Sequence, residues 1–428
     1  MPTASDRPPR VVVLTTYFKP IIGGVESTAE RLARFLVRSG AEARVLTKRI
    51  SRDLPDREIV TGTPGATGFS VERVGPYGDR SPAGKWRLIP AATRWLISQR
   101  RAHDVVCCVD YRGVGCAALL ARRMTGRPVV FQAQTTGVLS AGNADATLRR
   151  VGIDAGTRSG VLVKSAVTRL YSGADAFACI SRDIERETRD AGIEAGRVHF
   201  LPNPVDTAHF RPLDGADRRV RRAGQGVTDD RVIVAFAGRL SREKGLSELL
   251  DAWHRLASSG VLARAAGGPP LLLVAGPDMP GHAWNLGESA RAFVTDRGLG
   301  DSVRFCGPLT DVAPLYQAAD IAIVPSHFEA LGLSALEALA CGIPVVASAV
   351  GGLLDFIVDD GNGLLFPPRD VAVLADRLGA LISDPEHRAR LAASARASIV
   401  ESYDERRVLT RFTALLTRLA ASSLGTRV

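Results

Sequence analysis

The segment PSHFEALGLSALEALACGIPVVASAVGG, residues 325–352, is the most informative part of this chain, and we call it the organising stretch. Its middle is rich in alanine and leucine, and its apolar residues recur at helical spacing, which predicts a helix. Gly342 and Pro344 end that helix, because glycine favours the position after a helix and proline cannot continue one. The following IPVVAS, residues 343–348, predicts a short buried parallel strand. A helix that leads directly into a buried strand is typical of an α/β domain.

Two carboxylates flank the start of the predicted helix. Glu329 lies in the loop before it, and Glu337, eight residues later, lies one turn inside it. The start of a helix leaves backbone N–H groups unpaired, and these groups attract phosphate; here they belong to the turn Leu331, Gly332 and Leu333. Carboxylates accept hydrogen bonds from the hydroxyls of a sugar or a ribose. The arrangement therefore suits a phosphorylated, hydroxyl-rich ligand.

A purely structural role is the alternative for both carboxylates. Ser334 and Glu337 fit the S-x-x-E pattern of a capping box, in which the glutamate only satisfies the first N–H groups of the helix. Glu329 fits a solvated loop carboxylate. The spacing alone leaves both interpretations open.

A pair of cations follows another predicted buried strand. VIVAFAG, residues 232–238, is followed by Arg239 and, five residues later, by Lys244. Cations at the carboxyl end of a strand lie where open α/β sheets bind ligands. Arginine offers a planar fork for a diphosphate, and lysine offers a point charge. Two solvated surface charges are the alternative.

These motifs together resemble the signature of a known family. E-x7-E, residues 329–337, runs into EALACGIPVVAS and a GG pair, and GRL-x3-KG occupies residues 238–245. Between them, VRFCG at residues 303–307 leads to LYQAADIAIVPS at residues 315–326. The set is similar to that of the retaining GT-B glycosyltransferases of family GT4, over nearly the whole chain. The resemblance implies an α/β fold of two Rossmann-like, doubly wound domains that face each other across a cleft, with a C-terminal helix that crosses back to the first domain.

The resemblance also implies roles for individual residues. Arg239 and Lys244 would neutralise the donor diphosphate, Glu329 would hold hydroxyls of the donor sugar, and Glu337 would hold the ribose. The backbone of Leu331–Leu333 would bind phosphate. No metal ion or other cofactor is expected, since two cations can replace the charge of a divalent ion. The implied reaction is retaining transfer from a nucleotide sugar, in which the leaving diphosphate takes the acceptor's proton, so the two glutamates are not an acid–nucleophile pair.

The first half of the chain contributes a glycine loop. RVVVLTT, residues 10–16, predicts a strand, KPIIGG, residues 19–24, a loop, and residues 27–38 an amphipathic helix. Strand, glycine loop and helix can cradle a phosphate, and a plain βα turn is the alternative. The family has a GG-x-E loop here, so Gly23 and Gly24 are implied to face the donor diphosphate and the acceptor.

One position departs from the family pattern. Many members carry a histidine near the donor sugar at the end of the strand that matches residues 128–134, whereas this chain has Gln134. A glutamine amide can still bond a sugar hydroxyl, and we hypothesise that Gln134 takes that role. Residues 139–165, which are polar and contain glycine, are expected to form a loop and helix that face the acceptor.

The length of 428 residues predicts two domains. Residues 1–210, together with a helix at about 404–428, are expected to form an N-terminal, acceptor-side domain. Residues 211–403 are expected to form a C-terminal, nucleotide-sugar domain. The polar, charge-rich residues 207–230 are interpreted as the linker between them, and GNGLLFP, residues 361–367, as a hairpin-like return.

Positive charge is concentrated in the first half. Residues 1–210 carry 31 Lys and Arg against 20 Asp and Glu, a net of +11, whereas the remainder carries 24 against 25, a net of −1. This asymmetry predicts an anionic partner, for which we expect a membrane surface or a lipid-diphosphate acceptor. The basic segment 88–101 is either a membrane-surface helix or an ordinary scaffold helix. A nucleic-acid binder is disfavoured, because aromatic residues are only 6% of the chain and do not alternate with basic ones.

Cysteine usage and hydropathy predict a cytoplasmic protein. The six cysteines lie mostly in apolar segments without a C-x-x-C motif, which is typical of reduced thiols. No signal peptide is expected at the N-terminus, and no apolar run reaches the ~18 residues of a membrane-spanning helix. Peripheral contact with the inner face of the plasma membrane is compatible with these features.

The resemblance implies a UDP- or GDP-sugar donor and a glycan, glycolipid or polyprenyl-diphosphate-linked acceptor in the synthesis of the cell envelope. A nucleotide-sugar epimerase on the same fold is the alternative, and the two motifs GRL-x3-KG and E-x7-E argue against it.

Overall fold

A computed structural model describes residues 7–21, 24–61, 68–77, 82–137, 139, 156–227 and 231–425. The chain divides into two compact units. The first comprises Met1–Pro202 and Leu409–Val428, and the second comprises Asn203–Val408. Gly23, which the resemblance implies to be a site residue, lies outside the described residues, as does most of the expected acceptor-facing segment 139–165.

The first unit contains an eight-stranded sheet of order β3-β4-β2-β1-β5-β6-β7-β8. Every neighbouring pair is parallel except β3 and β4. The strands are β1 (Arg10–Leu14), β2 (Glu42–Lys48), β3 (Arg57–Val60), β4 (Phe69–Val74), β5 (Val105–Val109), β6 (Val129–Ala133), β7 (Ala176–Cys179) and β8 (Val198–Phe200). The helices that precede the second unit are α1 (Gly24–Arg38), α2 (Pro82–Ser98), α3 (Val114–Thr125), α4 (Arg158–Tyr171) and α5 (Arg182–Asp190). Strands such as β5, VVCCV, are apolar and buried at every position, because helices cover both faces of a parallel sheet.

The second unit contains a six-stranded sheet of order β11-β10-β9-β12-β13-β14, parallel throughout. Its strands are β9 (Ile233–Ala237), β10 (Leu271–Ala275), β11 (Val303–Gly307), β12 (Ile321–Val324), β13 (Val345–Ser348) and β14 (Gly363–Phe366). Its helices are α6 (Gly215–Gly224), α7 (Leu246–Ser258), α8 (Gly287–Asp296), α9 (Ala313–Ala318), α10 (Leu333–Ala340), α11 (Val371–Ser383), α12 (Pro385–Ala395) and α13 (Ala397–Tyr403). Trp253 on α7 is fully buried in its core, and its indole N–H donates to Ser302 Oγ at 3.1 Å.

The last helix, α14 (Glu405–Gly425), supplies core to the first unit. Phe412 and Leu416 are buried there in one cluster with Val13 of β1 and Leu32 of α1. The two predicted doubly wound domains are confirmed, as is the return of the C-terminal helix to the first of them. None of the helices in the described ranges is long and apolar enough to cross a membrane.

The unit boundaries lie a few residues from the predicted ones. Residues 203–210 belong to the second unit because its own residues bind them. Arg396 donates to the carbonyl oxygens of Thr207 and Phe210, and Val205 N donates to Tyr403 O. Backbone hydrogen bonds of this kind join segments distant in sequence, so composition did not mark them.

The interpretation of residues 207–230 as a linker is wrong in part, because α6 lies within them. Asp214 caps α6 by accepting from the N–H groups of Ala216 and Asp217. Arg222 on α6 is buried and donates to Asp320 Oδ2 at 3.0 Å, so the helix is attached to the second unit. A basic, polar helix resembles a linker in composition, and only its tertiary ion pair distinguishes it.

The hairpin-like return predicted for residues 361–367 is also wrong. β14 pairs with β13 in parallel, with Val345 opposite Gly363 and Ser348 opposite Phe366. A parallel partner needs a crossover connection, which residues 349–362 provide here. Glycine and asparagine before a short apolar run occur in both arrangements, so this local pattern could not separate them.

Candidate functional site

Two loops meet at the point where the strand order of the second sheet reverses. β9 and β12 are neighbours in that sheet although 83 residues separate the end of β9 from the start of β12. Ligands of open α/β sheets bind beyond the carboxyl ends of strands at such a reversal. Residues 238–245 follow β9 and residues 325–332 follow β12. Gly245 has φ +69°, and a side chain there would overlap the carbonyl oxygen of Pro325, so the two loops are in contact.

An ion pair joins these loops. Lys244 Nζ lies 2.5 Å from Glu329 Oε1, and the side chains are only 24% and 11% exposed. Ser326 Oγ donates to the same oxygen at 2.8 Å. No described residue donates a hydrogen bond to Glu329 Oε2, so that oxygen remains free to accept from a ligand hydroxyl. The alternative of an isolated, solvated carboxylate at Glu329 does not fit this burial.

Arg239 forms a second cation–carboxylate pair nearby. It follows β9 by two residues, its side chain is 45% exposed, and its guanidinium binds the Glu243 carboxylate. Arg239 and Lys244 therefore each have an acidic partner within the site. A diphosphate bound by both cations would compete with these carboxylates for them.

The start of α10 excludes the capping box. The helix begins at Leu333, and Gly332, with φ +96°, precedes it without a side-chain cap. Ser334 is already the second helical residue, so it cannot cap the helix in the way that S-x-x-E requires. Glu337 lies one turn inside the helix, as predicted. Burial and, next, the Glu337 carboxylate raise the pKa of Tyr316 well above its ordinary value, which places this carboxylate near a buried phenol.

The GG pair at the end of the organising stretch supports the loop that carries Glu329. Gly352 N donates to Glu329 O at 3.0 Å. Gly351 has φ +48°, and a Cβ there would overlap the same carbonyl oxygen. A Cβ on Gly352 would lie 2.5 Å from the Cα of Leu331. Only glycine allows the backbones to approach so closely.

Polar residues that the sequence left without a role also hold the site. His327 Nε2 lies 2.7 Å from Glu248 Oε1 on α7, and His327 N donates to Glu243 O at 2.9 Å. These contacts tie the loop after β12 to the segment after β9. Ser326 and Glu243 lie within the family motifs, and His327 lies between two of them, so position in a loop after a buried strand was the available signal.

Two further residues predicted to form the site lie in the first unit. Gly24 is the first residue of α1, and a Cβ there would meet no atom within 4 Å. The helix therefore begins before residue 27, where the sequence predicted its start. Gln134 follows β6 directly and is partly exposed. Gly24 and Gln134 thus follow strands of the same sheet, and Gly23 is not described.

Within the described ranges, no group of three or more His, Cys, Asp or Glu residues could hold a metal ion. All six cysteines are free. Burial raises the pKa of the Cys341 thiol, just after α10, to about 12, so it is protonated at neutral pH. The expectation that no metal takes part stays a prediction.

Comparison with known proteins identifies the family. Residues 22–209 match the family model for Glycosyltransferase Family 4, and residues 217–398 match the model for glycosyl transferases group 1. The D-inositol 3-phosphate glycosyltransferase of Xylanimonas cellulosilytica is 31% identical over 92% of this chain and 93% of its own length. The enzyme of the same name from Acidothermus cellulolyticus is 31% identical over 91% of this chain and 86% of its own.

Solved structures show the same fold. Sucrose-phosphate synthase from Thermosynechococcus elongatus matches with a TM-score of 0.75 at 23% identity, covering 96% of this chain and 100% of that one. HepE from Anabaena, in complex with UDP and glucose, matches with a TM-score of 0.71 at 19% identity, covering 96% and 99%. WaaG, a glycosyltransferase of lipopolysaccharide biosynthesis, gives 0.70 at 19%, covering 95% and 99%. The predicted GT-B fold is confirmed, and the chain belongs to the group 1 glycosyltransferases of family 4.

Proposed function

We propose that this glycosyltransferase is a retaining enzyme that moves a sugar from a UDP- or GDP-sugar to a glycan, glycolipid or polyprenyl-diphosphate-linked acceptor in cell-envelope synthesis. The observation that carries the donor half of this proposal is the Lys244–Glu329 pair beside the start of α10. It combines a cation for phosphate, a carboxylate for hydroxyls and unpaired helix N–H groups at one sheet edge. The second unit is the donor domain and the first the acceptor-side domain.

Each predicted residue has a place in this scheme. Arg239 and Lys244 neutralise the diphosphate, and the N–H groups of residues 331–333 bind its oxygens. Glu329 accepts from the donor sugar through Oε2, while Ser326 and Lys244 hold Oε1. Glu337 accepts from the ribose hydroxyls.

The first unit contributes Gly23, Gly24 and Gln134. The two glycines face the diphosphate and the acceptor, and the lack of a side chain lets both ligands approach the backbone. Gln134 donates to a hydroxyl of the donor sugar in place of the histidine of many relatives. A Gln134→Ala variant with undiminished transfer would remove this residue from the site.

In the proposed transfer step, side chains contribute little as proton donors or acceptors. The bond between the anomeric carbon and the diphosphate oxygen breaks, and the acceptor oxygen bonds to the same face of that carbon. The acceptor's proton passes to the departing diphosphate oxygen. Arg239, Lys244 and the N-terminus of α10 stabilise the charge that develops there, which is the role a metal ion has elsewhere. The protein otherwise positions the reactants.

A thermal-shift panel of UDP, GDP, ADP and their sugars, with and without EDTA, tests the donor half. A nucleotide at 100 times its Kd stabilises the folded state by about 2.7 kcal/mol, which raises Tm measurably. We expect one base to be selected and EDTA to change nothing. UDP-sugars come first, because HepE was solved with UDP and with UDP-glucose. A shift that requires a divalent ion would contradict the metal-free proposal.

Product analysis tests the reaction. The preferred donor is incubated alone and with lipid-linked acceptors, glycans and inositol 3-phosphate, the last because of the names of the relatives. The anomeric configuration of the product, read by NMR, is expected to match that of the donor. A new nucleotide sugar formed from the donor alone would favour an epimerase instead.

A further inference from the structure

Three neighbouring helices of the first unit contain no acidic residue. These are α2, α3 and α4, and α3 contacts both of the others. Among the described helices longer than six residues, every other one contains at least one aspartate or glutamate. We call the solvent-facing side of α2, α3 and α4 the basic helical face.

Most arginines of the basic helical face are exposed and form no ion pair with a described residue. Five of them form no ion pair with any described residue: Arg87, Arg94, Arg123, Arg158 and Arg169. Arg122 differs, since it binds Asp175 through two hydrogen bonds of 2.6 Å. Several arginines elsewhere in this unit have acidic partners, as Arg10 has in Asp104 at 2.9 Å. The face therefore presents a positive charge that none of the described residues neutralises.

Large apolar side chains stand among these arginines. Met124 on α3 is 70% exposed, and Leu162 on α4 is 69% exposed. Leu162 and Leu170 lie two turns apart on α4 and form an exposed stripe along it. Leu120, one turn before Met124, lines an apolar groove of about 560 Å³ between α3 and α2. Exposed aliphatic side chains beside exclusively positive charges are typical of a helix that lies in a membrane interface.

Other occupants fit the basic helical face less well. An ordinary solvated face carries charges of both signs. In a symmetric dimer the same patch meets itself, so the arginines of one copy would face those of the other. A single-stranded nucleic acid stacks its bases on aromatic side chains, whereas the large exposed side chains here are aliphatic.

We propose that the basic helical face docks this protein on an anionic lipid surface. The arginines contact the head groups, while Met124, Leu162 and their neighbours enter the boundary between head groups and acyl chains. This goes beyond the donor site, because α2, α3 and α4 contain none of the residues proposed to bind the donor. It assigns to a defined surface the charge asymmetry seen in the sequence.

Vesicle flotation of the full chain tests the docking surface. Phosphatidylcholine vesicles with and without phosphatidylglycerol are compared at low and high salt. We expect binding only to the anionic vesicles, and weaker binding at high salt because the charges are screened. Each arginine near the surface contributes about fivefold to partitioning, so Arg94→Gln with Arg123→Gln should lower the partition coefficient roughly 25-fold. Met124→Ser with Leu162→Ser should remove the binding that persists at high salt.

The matched control is Arg219→Gln with Arg255→Gln, two exposed arginines on α6 and α7 of the second unit. It removes the same charge and should bind vesicles as the parent does. Equal losses in both double variants, or no flotation on anionic vesicles at low salt, would overturn the proposal. So would a dimer in light scattering that the Met124 and Leu162 changes dissociate, since the face would then join two copies.

Nucleotide thermal shifts on the same preparations separate this proposal from the proposed function and show that each variant is folded. Vesicle binding without any nucleotide shift would count against the donor site and leave the docking surface standing. A normal nucleotide shift without vesicle binding would do the reverse.

Discussion

The candidate site contains two cation–carboxylate pairs among its described residues. Lys244 binds Glu329, and Arg239 binds Glu243. Glu329 is the more buried of the two carboxylates, so removal of its cation leaves a charge with little water to stabilise it. The pair therefore contributes to the stability of the loops as well as to ligand binding.

Replacement of Lys244 by methionine tests this pair. The variant should lose the nucleotide-induced thermal shift and about 100-fold or more of its transfer rate, since one charged group that stabilises the departing diphosphate is removed. The unliganded protein should be destabilised by about 1–3 kcal/mol, because Glu329 loses its partner. Arg242→Gln is the control, since Arg242 is exposed and two residues away. An equal loss of the nucleotide shift in the control would mean that general positive charge is sufficient.

His103 makes the stability of the first unit depend on pH. Burial lowers its pKa from the ordinary 6.5 to about 4, and its Nδ1 lies 2.9 Å from Gln99 O. The unfolded chain binds a proton near pH 6.5, whereas the folded chain does not until about pH 4. The contribution of neutral His103 to the free energy of unfolding is therefore fully present above pH 6.5 and is lost as the pH falls from 6.5 towards 4.

Between pH 7 and pH 5 this loss should amount to about 2 kcal/mol. Hydrogen exchange of peptides from β5, followed by mass spectrometry at both pH values, measures it within the first unit. His103→Gln should reduce the difference between the two pH values, because glutamine does not titrate. An unchanged difference in the variant would assign the effect to other groups, such as His199, whose pKa burial also lowers.

Among the elements, the start of α10 depends on a glycine distant in sequence. Gly351 lies in the short helical turn after β13. Its positive φ disfavours any residue with a side chain, and a Cβ there would overlap Glu329 O. The loop that carries Glu329 is therefore positioned by the segment that follows the next strand. This explains physically why a GG pair closes the E-x7-E stretch.

Gly351→Ala should displace this loop. Gly298→Ala is the matched control, because Gly298 has φ +63° but open space around its Cα. Alanine in the left-handed region costs about 1–2 kcal/mol in either place. Only the change at Gly351 should also weaken the nucleotide thermal shift, since only there does the new Cβ meet Glu329 O. Equal effects of the two variants on Tm and on nucleotide binding would contradict this account.

For the whole molecule, α14 connects the end of the chain to the core of the first unit. Phe412 is 1% exposed and belongs to the cluster formed by β1, β5 and α1. The first unit therefore cannot complete its core until α14 has been made. Its stability should respond to changes near the C-terminus.

Phe412→Ala should destabilise the first unit by about 3–5 kcal/mol, because it removes a large buried side chain. Thr410→Ala, an exposed position on the same helix, should have little effect. Hydrogen exchange resolved by peptide should show faster exchange in β1 and β5 and less change in β9 and β12. Faster exchange confined to the second unit would contradict the assignment of α14 to the first core.

Local sequence patterns were sufficient to predict the α/β class, the positions of most strands and helices, and the loops that carry Arg239, Lys244, Glu329 and Glu337. Apolar periodicity, glycine and proline are properties of neighbouring residues, and they suffice to place elements. The family motifs added the expected roles. The same local information misplaced the start of α1, because a helix can begin at Gly24 without any capping residue to mark it.

The pairing of distant segments is visible in the folded structure but not in the sequence. It placed β9 beside β12, which brings Lys244 to Glu329 across 85 residues of chain. It made β14 a parallel strand, attached α6 through Arg222 and excluded the capping box at Ser334. It also brought three acid-free helices together, with α3 in contact with both α2 and α4. These features depend on strand order and on side chains that meet from remote parts of the chain, so no local pattern contains them.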